Sequence, residues 1–238
     1  MKLYLLVILC AFSSHLFSQT LELNYDLRHS IDPQRNSKNY PALFFEYFRG
    51  TDSGSVLVKA QGDLVGEKNN MGKCYLQISR SFRFWKPKIF LQVEYSGGLG
   101  VTEPKEYSYY LTNAFSIGAG HPFQWKGGFF NVYSCYTYSP YKKPSHDVLF
   151  SFYWYKGFLN YKLVFAGDFS VWTRNKNQGD AFTAGMAGKR GSFFAEPQLW
   201  YKVFKELFVG TRINCYYHVV TYENVFLIYP AVGLKIKL

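Results

Sequence analysis

Two neighbouring stretches near the end of the chain carry polar and aromatic residues at two-residue spacing. Glu196, Gln198 and Trp200 lie on one face of a predicted strand, and Arg212 and Asn214 lie on one face of the next. Successive side chains of a strand point to opposite faces, so these five would share one surface. An aromatic ring beside hydrogen-bonding groups can stack on a small polar solute. We interpret the group as a constriction that ranks such solutes; the alternative is that it only fills a narrow interior.

Histidine and serine could instead form a nucleophilic site, in which a base lies within hydrogen-bond reach of a hydroxyl. His29 adjoins Ser30 and His146 adjoins Ser145, but adjacent strand residues point to opposite faces. The other two histidines beyond residue 18 have no serine two positions away. The sequence therefore predicts that the protein is not an enzyme. A serine from a different strand would meet the requirement, so a lipid hydrolase stays as the weakest functional hypothesis.

Metal, cofactor and nucleic-acid chemistry have little support in the sequence. No histidine or cysteine pair has zinc-ligand spacing, and there is no HExxH, calcium-loop or phosphate-binding glycine motif. The net charge is +11, but the lysines and arginines are spread along the chain, whereas nucleic-acid binders concentrate them. We predict no cofactor, no metal and no nucleic-acid partner.

The elements that would position these residues are amphipathic strands, and the last one has the clearest pattern. In residues 224–238, apolar side chains such as Leu234 and Ile236 alternate with Lys235 and Lys237. This is the period of a strand with one apolar and one polar face. The strand runs to the final residue, and in an open sheet it would leave an unpaired edge.

The first predicted strand, 20–28, repeats the pattern, with Leu21 and Leu23 alternating with Glu22 and Asn24. In a closed barrel the two terminal strands pair with each other and the edge disappears. Apolar faces outside and charged faces inside describe a barrel with lipid around it and water within. Aromatic residues make up 21% of the chain, which suits a lipid face and interfacial girdles.

The start of the chain has the form of a targeting segment. Lys2 precedes an apolar run at 3–12, which is too short to span a membrane as a helix, since that takes about 20 residues. We predict a signal peptide over residues 1–18 and a single barrel domain over 19–238, located in a bacterial outer membrane.

Periodicity and turn residues together predict the number of strands and the sorting of their connections. The connections after the first, fifth, seventh and ninth strands are long, and those after the even-numbered strands up to the tenth are short, as in outer-membrane barrels. The fold class is therefore all-β, a transmembrane antiparallel up-and-down β-barrel of about twelve strands. The predicted strands are 20–28, 39–49, 55–64, 72–84, 88–96, 106–117, 124–138, 146–155, 159–173, 192–202, 207–219 and 224–238.

The faces opposite the apolar ones define the predicted lumen, which carries charges of both signs. Buried charges are costly unless they are paired or hydrated, so two interpretations stay open: a salt-bridged, closed interior, or a water-filled pore with selective walls. We predict a pore. Its lining or substrate-contacting residues are Asp26, Arg28, Glu46, Lys59, Asp63, Glu94, Asp168, Glu196, Trp200, Arg212 and Asn214.

Six segments carry a resemblance to a known family, and the resemblance covers the whole chain after the signal peptide. They are Tyr25–Ser30, Gly66–Asn70, Ser81–Lys86, Glu94–Gly100, Lys143–Asp147 and Gly157–Lys162. They resemble a family of uncharacterised outer-membrane barrels defined as a domain of unknown function. That family is similar in architecture to the nucleoside-specific, Tsx-type porins, which are monomeric twelve-stranded barrels. The resemblance implies a monomeric outer-membrane barrel with a narrow pore; the nucleoside-binding residues have no motif match here.

The sequence thus favours a channel for small polar solutes, nucleosides among the candidates, surrounded by outer-membrane lipid. The alternative is a non-conducting structural or accessory barrel that docks a partner through its long loops, especially 174–191. The sequence identifies no protein partner.

Overall fold

The computed structural model describes residues 18–51, 53–66, 70–102 and 107–238. Residues 1–17 of the predicted signal peptide lie outside the described residues. The elements are β1 Ser18–Asp26, α1 Arg28–Ile31, β2 Tyr40–Thr51, β3 Gly54–Asp63, β4 Lys73–Phe82, β5 Phe90–Val101, β6 Ser108–Trp125, β7 Gly128–Ser139, β8 Ser145–Phe158, β9 Leu163–Asn175, β10 Lys189–Ala195, β11 Gln198–Phe204, β12 Leu207–Tyr217 and β13 Phe226–Lys237. No helix among the described residues is long and apolar enough to cross a membrane.

The strands form one closed antiparallel sheet in which strands adjacent in sequence pair with each other, except β10 and β11. β1 pairs with both β2 and β13, so the two terminal strands close the barrel. β10 and β11 both lie between β9 and β12, in one continuous register. They occupy a single strand position, so the thirteen segments make a twelve-position barrel. The predicted fold class and strand number are confirmed.

The break between β10 and β11 lies at Pro197, which has no backbone N–H to donate to the ladder. The pairing continues on both sides of it: Glu196 N donates to Asp168 O over 2.8 Å, and Ile213 N donates to Pro197 O over 2.9 Å. The interruption is therefore local, and the inward and outward faces keep their phase across it.

Side chains alternate between the two faces of the wall as the sequence predicts. Leu21 and Leu23 expose 43% and 48% of their surface, while Glu22 and Asn24 expose 3% and 1%. The same phase holds across the described strands: most aliphatic residues lie outside and most charged residues lie inside, together with buried aromatic residues such as Trp200 and Tyr133. The large core of the molecule is thus polar, which is the reverse of a soluble domain.

The connections sort by barrel end. Those at one end, called here the loop end, are 27–39, 64–72, 102–107, 140–144, 176–188 and 218–225. Those at the opposite, short-turn end are 52–53, 83–89, 126–127, 159–162 and 205–206. Connections alternate between the two ends, but their lengths are not fully sorted, because the short-turn connection 83–89 is longer than the loop-end connections 102–107 and 140–144.

Two predicted turns are wrong, because the glycines at these positions lie within continuous strands. β6 continues through residues 118–122 and turns only at Lys126 and Gly127, which have φ of 46° and 74°. At Gly118 an added Cβ would meet Ser134 O at 2.0 Å, so the glycine permits a close approach of strands rather than a turn. β5 likewise continues to Val101 through a glycine-rich stretch.

One predicted strand began too early. Leu159, Asn160 and Tyr161 have φ between 52° and 61°, a left-handed conformation that ends β8 and delays β9 to Leu163. The alternating apolar pattern of this stretch gave no sign of that turn.

Candidate functional site: the barrel interior

The predicted site residues point into the barrel, where they form three groups rather than one. Nine of the eleven lie on inward-facing strand positions, Glu196 lies in the break between β10 and β11, and Arg28 lies in α1 at the loop end. The first group surrounds Arg212, the second joins β3 to β9 across the lumen, and the third lies at the loop-end mouth.

The Arg212 group contains four of the five residues that open the sequence argument. Arg212 forms ion pairs with Glu196 and with Glu22, the latter at 2.5 Å between Nη2 and Oε2. Gln198 Nε2 donates to Glu196 Oε1 over 2.9 Å, and Trp200 Nε1 donates to Gln198 Oε1 over 2.8 Å. Trp200 has no exposed surface. These residues form one continuous chain of hydrogen bonds along the wall.

Three further side chains complete this group and were not included in the predicted constriction. Lys235 Nζ lies 2.7 Å from Glu22 Oε1 and 4.4 Å from the Trp200 ring centre. Arg212 Cζ lies 3.9 Å from the Phe44 ring centre. Barrel closure between β1 and β13 brings Glu22 to this position. Asn214 faces inward on β12, opposite Tyr229.

The second group crosses the lumen. Lys59 Nζ lies 2.8 Å from Asp168 Oδ1, although β3 and β9 are half a circumference apart in the strand order. Lys59 is also opposite Glu46 in register and lies 5.0 Å from the Tyr153 ring centre. Gln77 Nε2 donates to the Tyr153 hydroxyl over 3.1 Å. Side chains from opposite walls therefore meet in the middle of the barrel.

A buried tyrosine pair extends this group toward Glu94. The Tyr133 and Tyr153 rings stack with centres 5.8 Å apart, and the Tyr133 hydroxyl donates to Glu94 Oε2 over 2.8 Å. Ser96 Oγ also donates to Glu94, over 3.3 Å. Glu94 is thus held by neutral donors, in contrast to the directly ion-paired Asp168.

The third group lies where β1 leads into the first loop. Arg28 pairs with Asp26 through two side-chain contacts of 2.8 Å and 3.0 Å, and its guanidinium lies over the Tyr40 and Tyr229 rings. Asp63 accepts from Gln61 over 2.7 Å. Beyond the strands, Arg35 donates to Glu223 over 3.2 Å, and this contact raises the pKa of the exposed Arg35 side chain.

The histidines make contacts other than those of a nucleophilic site. His29 and His121 each contact a backbone carbonyl, and His146 contacts the Tyr136 hydroxyl. His218 contacts Gly191 O and Asn224 Oδ1. Within the described ranges, no histidine ring has a serine hydroxyl as its hydrogen-bond partner, and no group of acidic, histidine or cysteine residues is arranged to hold a metal ion.

Comparison with known protein families gives a match over nearly the whole chain. Residues 18–238 match the family described as "Domain of unknown function (DUF5020)". The chain belongs to this family. A comparison with curated protein sequences gives no match.

Solved structures with a similar architecture include porins of very low sequence identity to this chain. The chain is similar to the NanC porin with a TM-score of 0.55 and 9% identity, over 92% of this chain and 100% of that one. The KdgM porin has a TM-score of 0.48 and 6% identity, over 92% of this chain and 99% of that one. LpxR from Salmonella typhimurium has a TM-score of 0.46 and 8% identity, over 93% of this chain and 100% of that one. The likeness to NanC establishes a shared barrel fold.

Proposed function

We propose that this protein is a bacterial outer-membrane channel that passes small polar solutes through a narrow, charged lumen. The observation that carries the proposal is the inverted arrangement of the barrel, which is apolar outside and rich in ionisable groups inside. A closed barrel satisfies every ladder hydrogen bond without water and suits a lipid surround. The family match and the NanC-like fold are consistent with this function.

Aromatic residues at the two barrel ends support the membrane location. Interfacial girdles of aromatic side chains flank the apolar band of membrane barrels. Exposed aromatic residues at the short-turn end are Phe84, Trp85, Trp125, Phe158, Tyr161 and Phe204, and those at the loop end are Tyr107, Tyr110, Tyr141 and Tyr222. Outer-membrane lipid is therefore the partner we assign to the outer wall, with the barrel as a monomer.

The bridge between Lys59 and Asp168 crosses the proposed path, since it joins opposite walls of the barrel. A solute that passes must displace this pair or move around it. The Arg212 group lies along one wall. Within it, Arg212 lies against the Phe44 ring and Lys235 lies against the Trp200 ring. We propose that the bridge limits the size of the solutes that pass, and that the Arg212 group determines which of those solutes bind best.

The test is single-channel recording of the refolded protein in a planar bilayer, with nucleosides, sugars and amino acids added as blockers. We expect stable conductance steps and block by one solute class. Nucleosides are one candidate, because the lumen combines aromatic rings with hydrogen-bonding groups. The variant Trp200→Phe/Arg212→Lys keeps an aromatic ring and a positive charge, and we expect it to change the order of blockers. An unchanged order would remove the Arg212 group from the selectivity mechanism.

The cross-lumen contacts favour one second candidate, a non-conducting structural or accessory barrel. Besides Lys59 and Asp168, the Phe48 and Phe129 rings approach to 5.9 Å from β2 and β7. If neither the wild type nor a variant lacking the bridge conducts at any voltage, the closed barrel is the better account. A partner would then dock on the long loops.

A further inference from the structure

Two arginines lie side by side at the loop end of the lumen. Arg174 is near the end of β9, Arg190 is near the start of β10, and they are direct partners in the strand register. They continue the inward rows of Trp172 and Ser192, so both side chains are on the lumen face. Like charges directly opposite each other on neighbouring strands destabilise a sheet. Such a pair calls for a compensating anion.

The described residues do not supply that anion. No carboxylate of the described ranges forms a salt bridge with either guanidinium. One Nη2 donates to the backbone carbonyl of His218 and the other to that of Lys176. The Nε atoms of both arginines are buried and lack a hydrogen-bond partner. Arg212 also has an unpartnered Nε, but its charge is met by two glutamates.

The groups around the pair hold it in place without neutralising it. The Tyr222 ring lies 4.6 Å from Arg190 Cζ. Ser192 Oγ and Arg174 Nη2 share the His218 carbonyl, and the His218 ring is held by Gly191 O and Asn224 Oδ1. The nearby carboxylate of Asp147 on β8 is already bound by Lys189 and Thr173. The positive charge therefore stays available to a ligand.

We propose that Arg174 and Arg190 form an oxyanion-binding site at the loop-end mouth of the lumen, which takes the carboxylate or phosphate group of a solute. Paired guanidinium forks match the geometry of both groups. The inward position selects a dissolved anion over a lipid phosphate, because lipid meets the outer wall. That this anion is a transported solute rests on the proposed function; the binding site does not.

The test is calorimetry of the refolded protein in zwitterionic detergent, titrated with inorganic phosphate and, separately, with acetate. We expect saturable binding of one anion per barrel. Arg174→Gln and Arg190→Gln should each weaken it about tenfold or more, because each removes charge-assisted hydrogen bonds. Lys143→Gln removes the same charge from an exposed loop at the same end and should leave the affinity unchanged.

The site would be overturned if the wild type showed no saturable binding, or if Lys143→Gln weakened binding as much as the arginine variants. Arg190→Lys keeps the positive charge and removes the guanidinium fork, so it remains informative if a glutamine variant fails to fold. If Arg190→Lys bound phosphate as tightly as the wild type, the proposed site would be overturned. As a second readout, phosphate should raise the melting temperature of the wild type and not that of Arg174→Gln.

The source of the anion is tested in vesicles. The affinity for inorganic phosphate should be the same in phosphatidylcholine vesicles with and without lipid A, at physiological ionic strength. Competition by lipid A that is lost in Arg190→Gln would assign the site to a lipid phosphate and overturn the solute assignment. Because calorimetry needs no conduction, binding without conductance would reject the channel alone, and conductance without binding would reject this site alone.

Discussion

Arg212 and the pair Arg174 and Arg190 are all lumen-facing arginines, yet their surroundings are opposite. Arg212 lies between Glu22 and Glu196 and over the Phe44 ring. Arg174 and Arg190 face each other and contact backbone carbonyls and Tyr222. The first is a closed network in which every charge has a partner, and the second is an open one.

This difference separates two uses of charge inside one barrel. Removing one partner of a buried ion pair is strongly destabilising, because it leaves the other charge buried and uncompensated. An unpaired like-charge pair weakens the wall unless an anion joins it, so its presence is better explained by a ligand. The lumen charges therefore fall into two classes, those with an ion-pair partner and those without one, and sequence position does not determine the class.

The largest expected effect comes from opening the closed network. Arg212→Met leaves Glu196 as a buried carboxylate without an ion-pair partner and leaves Glu22 with Lys235 alone. This loss should cost about 3–5 kcal/mol of unfolding free energy. The measurement is urea unfolding in detergent, followed by tryptophan fluorescence. Arg174→Met is the matched control and should cost far less; equal losses would abolish the distinction between the two networks.

The bridge of Lys59 and Asp168 should behave as part of the closed class. A double-mutant cycle with Lys59→Met and Asp168→Asn should give a coupling energy of about 0.5–3 kcal/mol, since the two groups are in direct contact. The cycle uses the same urea titration for all four proteins. Additive effects would mean that the contact between Lys59 and Asp168 contributes nothing to the unfolding free energy of the barrel.

A smaller loss is expected at Trp200. Trp200→Phe keeps a ring beneath Lys235 and removes the hydrogen bond to Gln198, which should cost about 0.5–1.5 kcal/mol. Urea unfolding checks this value, with circular dichroism as the readout because the variant loses an indole. A loss as large as that of Arg212→Met would show that packing, rather than the polar chain, holds this wall.

The smallest effect should have the opposite sign. Arg190→Gln relieves the repulsion with Arg174 and should stabilise the anion-free barrel by about 0.2–1 kcal/mol. Adding inorganic phosphate should reverse the order, because only the wild type gains from binding. If Arg190→Gln were destabilised in anion-free buffer by more than 1 kcal/mol, the open network would in fact be a structural one.

Most of the fold could be predicted because alternation is a local signal. The phase of Leu21 and Glu22 sets the first strand, and the same rule extends around the sheet to Lys235. Glycines such as Gly118 misled the prediction, since a missing side chain serves a close strand contact as well as a turn. Pro197 split one predicted strand into two segments without changing its register.

The candidate site could be predicted only in part. The contacts among Glu196, Gln198, Trp200 and Arg212 follow from two neighbouring strands. Glu22 reaches them only through barrel closure, which sequence spacing does not encode. The pair Arg174 and Arg190 falls in the predicted loop 174–191, because Gly, Asn and Asp residues there indicate a turn; the two-residue spacing of Arg174 from Trp172 was the available signal.

The measurement that tests the central claim most directly is single-channel conductance of the refolded wild type beside the variant Lys59→Ala/Asp168→Ala. The account predicts resolved steps in the wild type and larger steps in the variant, because the bridge that joins opposite walls is gone. A silent bilayer for both proteins, with the barrel shown to be folded by circular dichroism, would contradict the claim that this lumen conducts.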